Sequence, residues 1–165
     1  MKVILHDLGE EIAIPLGKNN KDSVVIHANN QYAPCRGCFQ CWLKNPGFCI
    51  TKDSLQHMGA LVGQSDPLII VSQCCYGGYS SSIKAILDRA IGDSLPFFTW
   101  RGGQIHHISR YPRRKQLCVY FYGECTKFEQ EIAKEVVERN RLNLDYREAD
   151  VLFFENTAQL KEAIL

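Results

Sequence analysis

Short apolar runs alternate with segments of helical periodicity along the whole chain, and this alternation constrains the fold more than any other feature. Residues 67–72 (PLIIVS) are almost continuously apolar, which is typical of a central strand buried on both faces. Further strands are predicted at residues 3–5, 24–27, 117–122 and 151–154. Strands separated by helices predict a parallel sheet covered by helices.

Apolar residues at the helical period predict helices at residues 55–62, 83–91, 126–141 and 157–165. Asp53 or Ser54 can cap the first helix, and Ser80 can cap the second. Thr126 with Glu129 has the spacing of a capping box. The predicted order is β-β-α-β-α-β-α-β-α.

Two connections depart from this regular pattern. Residues 8–22 are too few for a crossover containing a full helix, so an extended crossover or an extra short strand at Ile12, Ile14 and Leu16 is expected. The polar stretch at residues 93–115 is long for a connection, so it is expected to be a functional loop or partly disordered.

The bulk properties favour a single domain over residues 1–165. A formal charge of +1 gives no strong field for nucleic acid or an anionic membrane, and no apolar segment is long enough to span a bilayer. The N-terminus lacks the features of a signal peptide, so a reducing, cytoplasmic location is expected.

Four cysteines, Cys35, Cys38, Cys41 and Cys49, follow the spacing C-x2-C-x2-C-x7-C. Thiolates at this density suit an iron–sulfur cluster, a zinc ion or redox chemistry. The residues alone leave open a cluster, zinc, structural disulfides or free thiols.

Two motifs resemble those of flavodoxin-like flavoproteins, in the group of NADPH-dependent FMN reductases and iron–sulfur flavoproteins. The first motif, in SDPLIIVSQCCYGGYSSSIKAILDR, is carried by Tyr76, Gly77, Gly78, Ser80, Ile83, Lys84, Asp88 and Arg89. The second is carried by Cys35, Gly37, Cys38, Cys41, Gly47, Cys49 and Asp53. The resemblance extends from about residue 22 to the C-terminus.

The resemblance implies a flavodoxin-like, three-layer α/β/α fold with a mainly parallel five-stranded sheet in the order 2-1-3-4-5 and a first crossover helix that is absent or shortened. It also implies FMN at the carboxyl ends of the strands, NAD(P)H as co-substrate, and a homodimer or tetramer with FMN at the subunit interface. The four cysteines would ligate a [4Fe–4S] cluster. The basic run at residues 110–115 could meet the phosphates of NADPH, or be solvated loop charge.

The residues expected to border the FMN follow the third and fourth strands: Gln73, Cys74, Cys75, Tyr76, Gly77, Gly78, Ser80, Gly123 and Glu124. Glycines let the backbone approach the flavin ring, and Tyr76 could stack on its face. Because the flavin does the hydride and electron chemistry, no catalytic side chain is assigned.

The chain departs from the family pattern after the first strand. Asp7, Glu10 and Glu11 stand where the family has a phosphate-binding loop and helix, and carboxylates repel a phosphate. Gln73 and Cys75 replace the usual Pro and Tyr. Two functions are therefore open: an FMN-dependent oxidoreductase, or a protein that has lost FMN and acts as an interaction module or a thiol or iron–sulfur electron-transfer protein.

Overall fold

A computed structural model describes residues 1–9 and 23–164, with side chains as far as residue 162. The extra strand or extended crossover expected after Leu8, and the position of Glu10 and Glu11, lie outside the described residues. The prediction that the first crossover helix is absent or shortened also concerns residues outside the described ones.

Five parallel strands form the main sheet in the order β2-β1-β3-β6-β7. Their bounds are Lys2–His6 (β1), Ser23–His27 (β2), Leu68–Gln73 (β3), Arg114–Tyr122 (β6) and Tyr146–Phe154 (β7). Counted within this sheet, the order is the predicted 2-1-3-4-5. The central strand β3 buries Leu68, Ile70 and Val71 completely, as its apolar run predicts.

The helices are Gln40–Leu43 (α1), Met58–Gly63 (α2), Ser81–Arg89 (α3), Lys127–Asn143 (α4) and Thr157–Ile164 (α5), with a 3-10 turn at Ala90–Asp93. The Ser80 cap of α3 and the Thr126–Glu129 capping box of α4 are confirmed. Among the described residues, no helix is long and apolar enough to cross a membrane.

The two faces of the sheet are covered unequally. Helices α2, α3 and α4 pack on one face and bury the main core, which includes Met58, Ile83 and Val137. A smaller cluster on the other face joins Leu8 and Val71 to Leu160 of α5.

Residues 93–115 are neither a loop nor disordered, so that prediction was wrong. They contain an antiparallel hairpin of β4 (Ser94–Arg101) and β5 (Gln104–Ser109). Gly102 and Gly103 both adopt positive φ, at 58° and 77°, which is the geometry of a tight two-residue hairpin turn.

The basic run at residues 110–115 is divided: Arg113 and Lys115 are exposed, in agreement with solvated charge, whereas Arg110 and Arg114 make hydrogen bonds within the fold. Arg110 Nε donates a hydrogen bond to Gly92 O at 3.2 Å. Arg114 Nη1 donates to Gly63 O at 2.7 Å, and its guanidinium lies 4.7 Å from the centre of the Tyr146 ring.

Candidate functional site at the carboxyl edge

The carboxyl ends of β1, β3 and β6 meet at Asp7. The Asp7 carboxylate accepts hydrogen bonds from Gln73 N at 3.1 Å and from the Tyr122 hydroxyl at 3.0 Å. Burial and the Asp7 carboxylate both raise the pKa of Tyr122, so its hydroxyl remains a donor at neutral pH. This arrangement places a fixed negative charge at the switch in strand order, where ligands of open parallel sheets bind.

The loop after β3 forms a tight turn that projects one aromatic ring into solvent. Cys75 and Gly78 exchange backbone hydrogen bonds of 2.9 Å in both directions. Tyr76, at the tip, has φ 52° and is 92% exposed. Gly77 has φ 76°, and a Cβ there would lie 2.8 Å from Ile132, so the turn requires glycine. The geometry leaves the flat face of Tyr76 available for stacking.

The other predicted residues of this loop face different surroundings. Ser80 Oγ accepts a hydrogen bond from Ile83 N and therefore serves the start of α3. Cys75 is half-buried, and burial followed by the Asp7 charge raises the pKa of its thiol. Cys74 is buried and points to Cys125, whose sulfur lies 2.8 Å from its own.

The loop after β6 stands beside this turn, as predicted. Gly123 has φ 96°, and its N–H donates to Phe154 O at 3.0 Å. A Cβ at Gly123 would lie 3.7 Å from Gln73 Cγ, so the two loops are in contact range. Glu124 is exposed and lines an open cleft of about 740 Å³ between this loop and the end of β7.

Two histidines, His6 and His27, end β1 and β2 at the same edge of the sheet. The rings of His6 and His27 stack with centroids 4.9 Å apart, and within residues 1–9 and 23–164 the buried His6 Nδ1 has no hydrogen-bond partner. Burial, followed by the charge of His27, lowers the pKa of His6 to about 4. His6 is therefore neutral at pH 7 and adds no positive charge to balance Asp7.

The four motif cysteines converge on a second, smaller cavity. Cys35 and Cys38 are exposed, Cys41 and Cys49 are half-buried, and all four line this cavity. Burial raises the pKa of the Cys41 thiol, and the other three cysteines raise it further. Among the described residues, no group of three or more His, Cys, Asp or Glu side chains is placed to hold a metal ion. The four thiols line one cavity, but among the described residues they are not positioned as ligands of one metal ion.

A buried cation lines the cysteine cavity. Arg89, the last residue of α3, has a fully buried side chain bonded to Asp53 at 2.7 Å. Asp53 Oδ1 also accepts a hydrogen bond from Leu55 N at 3.0 Å, but α2 begins only at Met58, with His57 at its cap position and no side-chain cap, so the predicted cap at Asp53 or Ser54 was wrong. The hydrogen bond to Arg89 lowers the pKa of Asp53. The Cys49 thiol also lies close enough to raise the pKa of Arg89, after the larger effect of the hydrogen bond to Asp53.

Comparison with known proteins confirms the fold. The azoreductase AzrA superposes with a TM-score of 0.57 at 11% identity, covering 98% of this chain and 91% of its own. An FMN-dependent NADH-azoreductase from Bacillus anthracis, in complex with FMN, superposes with a TM-score of 0.53 at 11% identity. The superposition covers 99% of this chain and 98% of the azoreductase. The apo form of an NADH:FMN oxidoreductase superposes with a TM-score of 0.52 at 15% identity, covering 98% of this chain and 84% of the oxidoreductase. The chain thus has the flavodoxin-like α/β fold that its motifs predict.

One curated relative is similar in sequence. An iron–sulfur flavoprotein from Methanosarcina thermophila is 23% identical over 84 residues, which are 51% of this chain and 43% of the relative. The match spans less than half of that protein's length. No protein-family model matches the chain. The relative's name agrees with the flavoprotein group that the two motifs resemble.

Proposed function

We propose that the protein is a flavin-dependent oxidoreductase that binds FMN at the carboxyl edge of its sheet and accepts electrons from NAD(P)H. The observation that carries this proposal is the exposed Tyr76 ring on a glycine turn, next to the Gly123 loop. The structural neighbours named as an FMN-dependent NADH-azoreductase and an NADH:FMN oxidoreductase have the same fold. The bound flavin would supply the hydride and electron transfer.

The described residues fit the ring of a flavin better than its phosphate. Tyr76 offers a flat aromatic face, and among the residues that the structure describes a Cβ on Gly78 would meet only Cys75 O, at 3.6 Å, so the backbone there is open to close approach. At the end of β1, however, Asp7 presents a carboxylate, which disfavours a phosphate. That carboxylate is also the observation that favours the second function, a protein of this fold without FMN.

Spectroscopy of anaerobically purified protein tests the proposal. A flavin spectrum, or saturable quenching of FMN fluorescence on titration, followed by FMN-dependent oxidation of NADH or NADPH, supports it. Protein that is colourless and does not quench FMN contradicts it. Riboflavin should be titrated in parallel, because it has the ring without the phosphate.

Homo-oligomer formation through the β4–β5 hairpin is part of the proposal. Phe98 and Trp100 are 66% and 70% exposed, and Ile105, paired with Trp100 across the hairpin, is 66% exposed. The Phe98 ring lies 4.6 Å from His107, and Trp42 of α1 packs on the same histidine. An apolar aromatic surface of this kind is typical of an interface core, and a second copy of the chain is the proposed occupant.

An iron–sulfur cluster at Cys35, Cys38, Cys41 and Cys49 is the proposed second cofactor. The supporting observations are that one cavity is lined by all four thiols and that Arg89, a buried cation, lines it too. A cluster with four thiolate ligands is anionic, and a buried guanidinium would offset part of its charge. Anaerobic reconstitution followed by iron and labile-sulfide analysis tests this, with Cys118→Ser as the control for Cys38→Ser. Equal iron content in the two variants would contradict the assignment.

A further inference from the structure

Cys74 and Cys125 bring two thiols together at the carboxyl edge. Their Sγ atoms lie 2.8 Å apart, although the residues are 51 positions apart in sequence. Both are free thiols. A disulfide bond has a length of about 2.05 Å, so a shift of about 1 Å would join the two sulfurs.

Backbone hydrogen bonds of the sheet bring the segments that carry these two cysteines together. Gln73 and Tyr122 are paired residues at the ends of the neighbouring parallel strands β3 and β6. The next residue, Cys74, donates its N–H to Tyr122 O at 2.9 Å. The approach of the two loops is therefore fixed by the sheet rather than by the cysteine side chains alone.

The two thiols differ in access. Cys74 is only 8% exposed, whereas Cys125 is half-buried and lines the open cleft of about 740 Å³. Burial, followed by the hydrogen bond with Cys125, raises the pKa of Cys74 to about 12. Thus a reagent in the cleft meets Cys125, while Cys74 stays protonated behind it.

We propose that Cys74 and Cys125 form a dithiol site that reduces low-molecular-weight disulfides entering this cleft. The Cys125 thiolate attacks one sulfur of the disulfide RSSR, forming a mixed disulfide and releasing RS⁻. Cys74 then loses its proton and attacks Cys125 Sγ, which breaks the mixed disulfide and releases the second RS⁻. Protons from the two cysteines convert both leaving groups to RSH, so one RSSR is reduced as one protein disulfide forms.

The charge of the cleft predicts which disulfides react fastest. Glu124 and Glu155 are exposed and line it, and none of its described lining residues is basic. Carboxylates raise the local concentration of cations and lower that of anions. Cystamine, a dication, should therefore react faster than neutral hydroxyethyl disulfide, and anionic dithiodiglycolate should react slowest.

The reaction requires neither flavin nor a metal cluster. It is therefore tested on the purified full chain with no added cofactor, and its failure is distinguishable from failure of the proposed FMN site. The first measurement is peptide mapping by mass spectrometry after cystamine treatment and alkylation. We expect a peptide pair linked through Cys74 and Cys125, which excess dithiothreitol returns to two alkylatable thiols.

Three cysteine-to-serine variants assign the roles of the sulfurs. Cys75 is the neighbour of Cys74 and occurs with it in the same peptide, so Cys75→Ser should retain the linked pair. Cys74→Ser should instead accumulate a cysteamine adduct on Cys125, because the resolving thiol is gone. Cys125→Ser should form neither product. Circular dichroism of each variant checks that it is folded.

The proposal is overturned if the wild-type protein keeps both thiols alkylatable throughout cystamine treatment. It is also overturned if the linkage survives in Cys74→Ser, since the bond would then involve Cys75. A stable cysteamine adduct on wild-type Cys125 would show that Cys74 does not resolve it. Equal rates for the three disulfides at low salt would contradict the predicted preference of the cleft.

Discussion

Arg89 and Asp53 form a two-pronged ion pair that joins the end of α3 to the cysteine segment. Nη1 lies 2.9 Å from Oδ2, and Nη2 lies 2.7 Å from Oδ1. Arg89 Nη1 also donates to Ala33 O at 2.6 Å, and Asp53 Oδ2 accepts from Ala33 N at 3.0 Å. The pair thus fixes the chain on both sides of the four cysteines.

Removing the Asp53 charge should destabilise the protein. The Asp53→Asn variant leaves the buried Arg89 guanidinium without its counter-ion, and breaking a buried pair costs about 3 kcal/mol in the free energy of unfolding. Urea denaturation measures the difference. Glu135→Gln, which breaks the exposed pair with Arg139, is the matched control and should change stability by less than about 1 kcal/mol. Similar losses in both variants would contradict a special role for the buried pair.

The strands of the main sheet and the caps of α3 and α4 could be predicted because their signals are local. Residues 67–72 are almost continuously apolar, which predicts a strand buried on both faces. Thr126 and Glu129 form the capping box of α4, which begins at the next residue, Lys127. The hairpin was missed although its Gly102–Gly103 turn is a local signal. Its strands carry exposed aromatic residues such as Phe98, and that pattern does not resemble a half-buried strand.

The candidate site was predictable only in part. The loops after β3 and β6 were expected to face each other because the carboxyl ends of neighbouring parallel strands share one edge. The contacts of Cys74 with Cys125 and of Arg89 with Asp53 depend on how distant segments pack. Sequence spacing carries no signal for such contacts. Asp53 was therefore expected to cap a helix, and its ion pair with Arg89 was not predicted.

His6 should make the protein less stable as the pH falls below neutral. Its pKa is lowered to about 4 in the folded state, against about 6.5 when unfolded, so the unfolded chain binds the extra proton first. His6 should lower the free energy of unfolding between about pH 6.5 and about pH 4, by at most ~3 kcal/mol, whereas the buried Asp93 carboxyl, whose pKa is raised to about 6, acts in the opposite direction over this range. Urea denaturation of the wild type and of His6→Gln across this range measures the difference between their slopes, which is the contribution of His6. An unchanged slope in that variant would assign the pH dependence to other groups.

Tyr76 should contribute to flavin affinity through its ring and not its hydroxyl. We expect Tyr76→Ala to weaken FMN binding about tenfold, as loss of one stacked aromatic contact does. Tyr76→Phe should bind as the wild type does. Because Tyr76 is almost fully exposed, neither substitution should lower the thermal midpoint. Fluorescence titration with FMN gives the affinities, and equal affinity of the alanine variant would place the flavin elsewhere.

Neutralising Asp7 should favour FMN over riboflavin. The carboxylate opposes a phosphate near the end of β1, and removing one repulsive charge at this partly exposed site is worth ~1–2 kcal/mol, or about tenfold in affinity. Asp7→Asn retains an oxygen to accept the hydrogen bond from Gln73 N. Titrations with both ligands should show tighter FMN binding and unchanged riboflavin binding. A parallel change in both would show that Asp7 acts on the ring and not on the phosphate.

Trp100 should control the oligomeric state. Its side chain is 70% exposed and pairs with Ile105 across the hairpin, at the centre of the proposed interface. Buried tryptophans at interface centres contribute ~2 kcal/mol or more, so Trp100→Ser should weaken association at least tenfold. Light scattering coupled to size-exclusion chromatography over a dilution series measures the shift from oligomer to monomer. Phe128→Ser, an equally exposed aromatic on α4, should leave the oligomer intact. A wild-type protein that is monomeric at every concentration, or a Phe128 variant that dissociates instead, would reject the hairpin as the interface.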